Sequence, residues 1–311
     1  MNWALQPQTE AEFVAEVLRD QPDAPAYFGV MKRVNRDGPA LLGGLPALPH
    51  RSGFEAQQWA EKLGLVVDAR PAELFAQAHM RGSLNIPGNR TFASWFGSLI
   101  DYGADVWLLA VDEPHGERLV RELMSIGFDR VVGVSVASDA LTGIDLVTVA
   151  QRSPVSLNGA LGRDGLIVLD VRNRSEWAAG HIAGAVHIPL GELPQRLVEL
   201  PADGTIVTQC ASGGRSAIAA SLLLLAGAPS VENLSGGIQG WTNAGFALTT
   251  DEVSVPDVVP DSVESDATAT SSPERRSDAP DAIGAEIPIF VDRRKRERLP
   301  DTATWVRKTV D

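Results

Sequence analysis

The sequence predicts an α/β chain built as two tandem units, each a mostly parallel central sheet flanked by helices. Three observations carry this expectation. Short apolar strands alternate with helical runs through residues 54–250, the pattern of parallel sheets covered by helices. A block of sequence beginning near residue 65 returns near residue 167. Two glycines, Gly127 and Gly227, end helical runs at corresponding places, where a C-terminal glycine belongs.

The first block, residues 65–87, reads LVVDARPAELFAQAHMRGSLNIP, and the second, residues 167–189, reads IVLDVRNRSEWAAGHIAGAVHIP. At a constant offset of 102 residues, Asp68 aligns with Asp170 and Arg70 with Arg172. Phe75 aligns with Trp177, His79 with His181, Gly82 with Gly184, and Ile86-Pro87 with Ile188-Pro189. A repeat of this length signals duplication of a domain, since solenoid repeats run about 20–50 residues. In each copy an apolar strand (residues 65–67 and 166–169) ends in Asp-x-Arg. A short helical segment, a His-x-x-Gly turn and a second short strand follow. Next come another apolar strand (106–111 and 205–209) and a helical run (117–126 and 216–226). The chain thus divides into an N-terminal arm (1–53), a first unit (54–150), a second unit (151–250), an acidic segment (251–286) and a basic tail (287–311).

Composition narrows the function. Of the 311 residues, 44% are hydrophobic, enough for true cores, and the formal charge is −13. Such a surface repels nucleic acid and anionic membranes, so neither is expected as a partner. No apolar run approaches 18 residues, which argues against a membrane span. The N-terminal MNWALQPQTEAEFV lacks the basic and apolar regions of a secretory signal, so a cytoplasmic address is expected. A single cysteine, Cys210, rules out an intramolecular disulfide and a cysteine-based zinc site. The five histidines, His50, His79, His115, His181 and His187, are scattered and form no hydrolytic metal cluster. Neither a metal nor a cofactor is expected.

After the strand Thr205–Gln209 the chain reads Cys210-Ala211-Ser212-Gly213-Gly214-Arg215-Ser216, then an apolar helix. A strand, a small-residue loop and a helix N-terminus make an anion cradle, because backbone N–H groups converge there and the helix dipole adds positive potential. Gly213 and Gly214 permit backbone conformations that a Cβ resists. Arg215 offers a fixed positive charge and a planar fork for oxyanions. The thiolate is the nucleophilic form of cysteine, and a helix N-terminus and a nearby cation favour it. Cys210 and Arg215 are therefore the candidate catalytic pair, with Ala211, Ser212, Gly213, Gly214 and Ser216 as the substrate-binding loop.

Residues 153–248 resemble the rhodanese superfamily. The resemblance is carried by Asp170-Val171-Arg172, Glu176-Trp177, Gly180-His181-Ile182, Gly184-Ala185, Ile188-Pro189, the Cys210–Arg215 loop, and Leu234-Ser235-Gly236-Gly237 with Trp241. It implies two tandem rhodanese-like domains and a sulfurtransferase that moves sulfane sulfur from thiosulfate or a persulfide to a thiol or cyanide through a Cys210 persulfide. It also implies that Asp170, Arg172, Glu176 and His181 are framework residues and Trp241 part of the core. Related phosphatases carry five residues between Cys and Arg. Four stand here, a count that fits the smaller sulfur pocket.

The first copy lacks this chemistry. Aligned on Gly127 and Gly227, Cys210 falls opposite Ala110 and Arg215 opposite His115, across a segment Val111-Asp112-Glu113-Pro114 with two acids and a proline that has no N–H. The first unit is read as catalytically inactive. In the arm, residues 8–18 read as a helix and 22–29 as turn-like. The arm resembles the tail of the metallo-β-lactamase-fold domain in fusions with tandem rhodanese domains, without its metal-binding motif. That resemblance implies either a separate metallo-β-lactamase-fold partner or a shortened reading frame, the alternative being a plain arm packed on the first unit; the rival function is a sulfur-relay subunit serving such a partner. Residues 251–286 are rich in Asp, Glu, Ser, Pro, Ala and Thr, a composition expected to be disordered. The tail joins an apolar start to a basic run, Arg293 to Arg298; it reads as a solvated tail, with docking to a partner or to the protein's own acidic surface as the alternative.

Overall fold

A computed structural model describes residues 3–18, 25, 27–38 and 49–250. The expected disordered segment (251–286) and the basic tail (287–311) lie outside the described residues.

Eleven strands are described, numbered here in chain order. In the first half they are β1 (Leu65–Asp68), β2 (His79–Met80), β3 (Leu84–Asn85), β4 (Val106–Ala110), β5 (Val131–Val136) and β6 (Leu146–Val147). In the second half they are β7 (Ala150–Arg152), β8 (Leu166–Asp170), β9 (Val186–His187), β10 (Thr205–Gln209) and β11 (Ser230–Leu234). One sheet runs β3-β1-β4-β5 and the other β7-β11-β10-β8-β9. Every pairing within these two sheets is parallel. The strand orders correspond: β3, β1, β4 and β5 take the places of β9, β8, β10 and β11. His50 makes a parallel bridge to Val134 on the outer side of β5, where β7 lies on β11. A small antiparallel pair, β2 with β6, lies apart.

β1 and β4 are buried along their whole length, as parallel strands covered on both faces must be. The repeated Asp-x-Arg has the same geometry twice. Arg172 Nη2 donates to Asp170 at 2.6 Å and to the Gly180 carbonyl at 2.8 Å, and Arg70 does the same with Asp68 and the Ala78 carbonyl. The motif therefore ties the end of each first strand to the turn after the next helix. His181 stacks on Trp177 with centroids 3.5 Å apart, and His79 on Phe75 at 3.8 Å.

One hydrophobic cluster runs through both halves, from Phe75, Leu84 and Ile86 to Ala219, Leu222 and Leu223. The helix Gly214–Leu225 is the link. It packs on β3 and on the helix Ala72–Gln77 of the first half, and the Asn85 N–H donates to Ser221 Oγ at 3.0 Å. Small residues along that helix let the backbones approach closely.

Several boundaries differ from those the sequence predicts. The helix expected at 117–126 spans Glu113–Ser125. Asp112 is its N-cap, accepting from the His115 N–H, and Pro114 sits in the first turn, where a missing N–H costs nothing. The helix after Cys210 starts at Gly214 rather than at 216. In the arm a helix occupies Glu10–Leu18, but the turn-like stretch gives way at Phe28 to a helix, Phe28–Asp37. Just before it, Tyr27 is buried in the first half's core, with Gly97 against its ring.

His79 is buried, and desolvation holds its imidazole below the ordinary value. The unfolded chain takes up this proton near pH 6.5 and the folded chain resists it. Stability is expected to decline as pH falls from about 6.5 toward the lower folded value. Urea midpoints at pH 7.5 and 5.5 check this, and His79→Gln should flatten the difference.

Candidate active site

Cys210 directly follows β10, and the glycines after it release the chain into the helix Gly214–Leu225. Gly213 takes φ 108°, a region that side chains with a Cβ avoid. This turn brings its N–H back to Cys210 Sγ at 3.2 Å. Ser216, fully buried on the first helical turn, points its hydroxyl at the same sulfur, 3.4 Å away, and at the Gly213 carbonyl, 3.1 Å away. The sulfur thus has an amide and a hydroxyl behind it and a twelve-residue helix aimed at it from its positive end.

A second loop braces the first. The Ile238 N–H donates to the Cys210 carbonyl at 2.8 Å, and the Gln239 N–H to the Ala211 carbonyl at 3.1 Å. Gly237, at φ 57°, lies where a methyl group would overlap the Cys210 carbonyl oxygen. Gly237→Ala is therefore expected to displace the loop and to lower stability by about 1–3 kcal/mol. Chemical denaturation, with the alkylation rate of Cys210 as local readout, checks this.

Only 1% of Cys210 is exposed, and the residue lines a cavity of about 410 Å³. Ala211, Ser212, Gly214 and Ile218 form one side. Pro87, Asn89, Thr91 and Trp95, all from the first half, form the other. A second recess of about 550 Å³ lies on the far side of the loop and does not include Cys210.

The residues singled out in sequence thus separate into roles. Ala211, Ser212 and Gly214 face the cavity, whereas Gly213 and Ser216 support the sulfur from behind. Arg215 departs from expectation. Its fork is not open to an oxyanion, because Nη1 and Nη2 donate to the two Glu176 carboxylate oxygens at 2.7 and 2.6 Å. Such a bidentate pair is the strongest geometry available to a guanidinium. Glu176 Oε2 also accepts from the Asn173 N–H at 3.1 Å, fixing the carboxylate at the start of its helix. The Arg215 hydrogen bonds, foremost, hold this carboxyl below its ordinary range, and the same pairing raises Arg215. A depressed carboxylate contributes stability above its unfolded value and loses it as pH falls through the folded one. The pair is therefore intact at neutral pH and opens only below about 4.3, the ordinary glutamate value.

Among the described residues, the place in the first half that corresponds to Arg215 is taken by His115. The His115 ring lies against Gly88. Its Nδ1 accepts from the Val111 N–H at 3.2 Å, and its Nε2 faces the Gly88 carbonyl at 3.3 Å. With Asp112 and Pro114 drawn into the helix start, no free loop remains there to surround a ligand.

Residues 153–244 match the family described as rhodanese-like domain. A sulfurtransferase of Allochromatium vinosum is 35% identical over 89 residues, which are 29% of this chain and 83% of that protein. A thiosulfate sulfurtransferase of Pseudomonas fluorescens is 32% identical over 91 residues, 29% of this chain and 84% of that protein. A putative sulfur carrier protein of Bacillus subtilis is 42% identical over 79 residues, 25% of this chain and 43% of that protein. A solved rhodanese-related protein of Thermoplasma volcanium shares 31% identity, with 97% of that chain and 32% of this one covered and a TM-score of 0.30. No described helix is long and apolar enough to cross a membrane.

Proposed function

That the chain belongs to the rhodanese-like family, through residues 153–244, is the premise from which we propose a sulfurtransferase that carries sulfane sulfur on Cys210. The observation that carries the reading is that Cys210 lines a cavity while its sulfur is met by the Gly213 N–H and the Ser216 hydroxyl. The thiolate attacks the sulfane sulfur of a donor. The donor's bond to that sulfur breaks, its electron pair leaves with the donor remnant, and Cys210 keeps the added sulfur as a persulfide. An acceptor thiolate or cyanide then attacks the outer sulfur and Cys210 leaves as thiolate. No oxidant enters either step. The loop amides and the helix N-terminus stabilise the anion at both stages.

Arg215 works in this scheme through Glu176, as a brace of the loop, rather than as the oxyanion fork. The first half is read as a second rhodanese-like unit without a nucleophile, a reading its corresponding strand order supports. Its function is to supply one wall of the cavity. A relay role is the second reading, favoured by the likeness to a putative sulfur carrier. In that case a separate metallo-β-lactamase-fold protein is the partner.

Intact-mass measurement after treatment with a sulfane donor tests the proposal. A gain of one sulfur, discharged by cyanide or a thiol, is expected. A chain that never gains sulfur contradicts it. Turnover that needs the partner protein favours the relay.

A further inference from the structure

We propose that the donor taken by Cys210 is an organic persulfide, R–S–SH, rather than the thiosulfate dianion, and that Trp95 holds its R group. The inference rests on the Cys210 reading above and narrows its substrate class.

Charge is the first argument. Among the described residues that line the cavity, Arg215 is the one cation. Its charge is matched at contact distance by Glu176, through two hydrogen bonds of 2.7 and 2.6 Å. Arg118 reaches the Gly88 carbonyl beside the cavity at 2.7 Å, and it too is paired, with Glu122. What remains to receive negative charge is the Gly213 N–H, the Ser216 hydroxyl and the start of the helix Gly214–Leu225. Together these suit about one negative charge, which the Cys210 sulfur itself supplies in the reacting state. A dianion adds repulsion that no free cation in the cavity offsets.

Shape is the second argument. The wall opposite the loop includes Trp95 and Pro87, and Ile218 adds an apolar side chain on the loop's side. Thiosulfate has no apolar part to cover these groups, whereas a carbon-bearing R group does. At the rim, Asn89 Oδ1 accepts from the Thr91 N–H and hydroxyl, at 2.9 and 2.8 Å. Asn89 also lines the cavity, and its amide NH2 is a donor available to a polar end of R.

The step balances without a co-reactant. The Cys210 thiolate bonds to the outer sulfur of R–S–SH and the S–S bond breaks. R–S⁻ leaves with the electron pair and takes up a proton, and Cys210 retains the persulfide.

The test is the rate at which the full chain gains one sulfur, read by intact mass, with cysteine persulfide and with thiosulfate as donors. Cysteine persulfide is expected to load Cys210 at least about tenfold faster. Glu176→Gln exposes the Arg215 charge while keeping a capping-box side chain for Asn173. It should raise the thiosulfate-to-persulfide rate ratio by about tenfold or more, an increase that added salt reduces. Trp95→Ala should raise the cysteine persulfide concentration needed for saturation several-fold, with a smaller effect on the limiting rate. Thiosulfate loading as fast as the persulfide in the parent chain, or an unchanged ratio in Glu176→Gln, overturns the donor assignment and leaves the Cys210 reading standing. No sulfur gain from either donor overturns both.

Discussion

Cys210→Ser is expected to abolish sulfur gain on the chain and to lower the transfer rate by at least about a thousandfold. A hydroxyl is a poor nucleophile toward sulfur and cannot form the S–S bond that carries the cargo. The chain has no other cysteine to substitute for it. The fold should survive, because a serine oxygen can still accept from the Gly213 N–H and meet the Ser216 hydroxyl. Denaturation midpoints within about 1 kcal/mol of the parent, beside a lost mass gain, separate chemistry from stability. Residual transfer above a few per cent would place the reacting group elsewhere.

The largest effect on stability is expected at Asp170. Its carboxylate is fully buried and accepts from the Arg172 backbone N–H and from Nε and Nη2 of the same residue, at 2.6–3.0 Å. The Arg172 side chain is 6% exposed, so Asp170→Ala leaves a buried guanidinium without its counter-charge. Breaking a buried pair from one side costs about 3–5 kcal/mol, a large part of the roughly 5–15 kcal/mol that holds a domain. Asp170 also pairs in register with Gln209, directly before the cysteine, so the damage reaches the loop. Urea denaturation checks this, and a loss below about 1 kcal/mol would show that water or Gly180 already compensates Arg172.

The parts that sequence made legible are local. Asp-x-Arg, the helix-ending glycines and the glycine-bearing loop each act over a few residues, and Gly127 and Gly227 do take positive φ, 78° and 88°. What sequence did not show depends on distance. Glu176 and Arg215 stand 39 positions apart, and no spacing rule joins them. A hint lay in Asn173-x-x-Glu176, a helix-start pattern that fixes a carboxylate, but nothing in it named the partner. Pro87, Asn89, Thr91 and Trp95 escaped for the same reason: they reach the cavity only because the two halves pack together. The helix begins at Glu113, four residues before the expected 117, because Asp112 and Pro114, which in sequence look like parts of an anion-repelling loop, are also residues that begin a helix.

The helix behind Cys210 answers to both halves at once, since Asn85 of the first holds Ser221 of the second. A fragment spanning only 151–250 would turn that flank toward water and lose one rim of the opening to its sulfur. Truncation to that fragment is thus expected to uncover the cavity beside Cys210 as well as to cost stability.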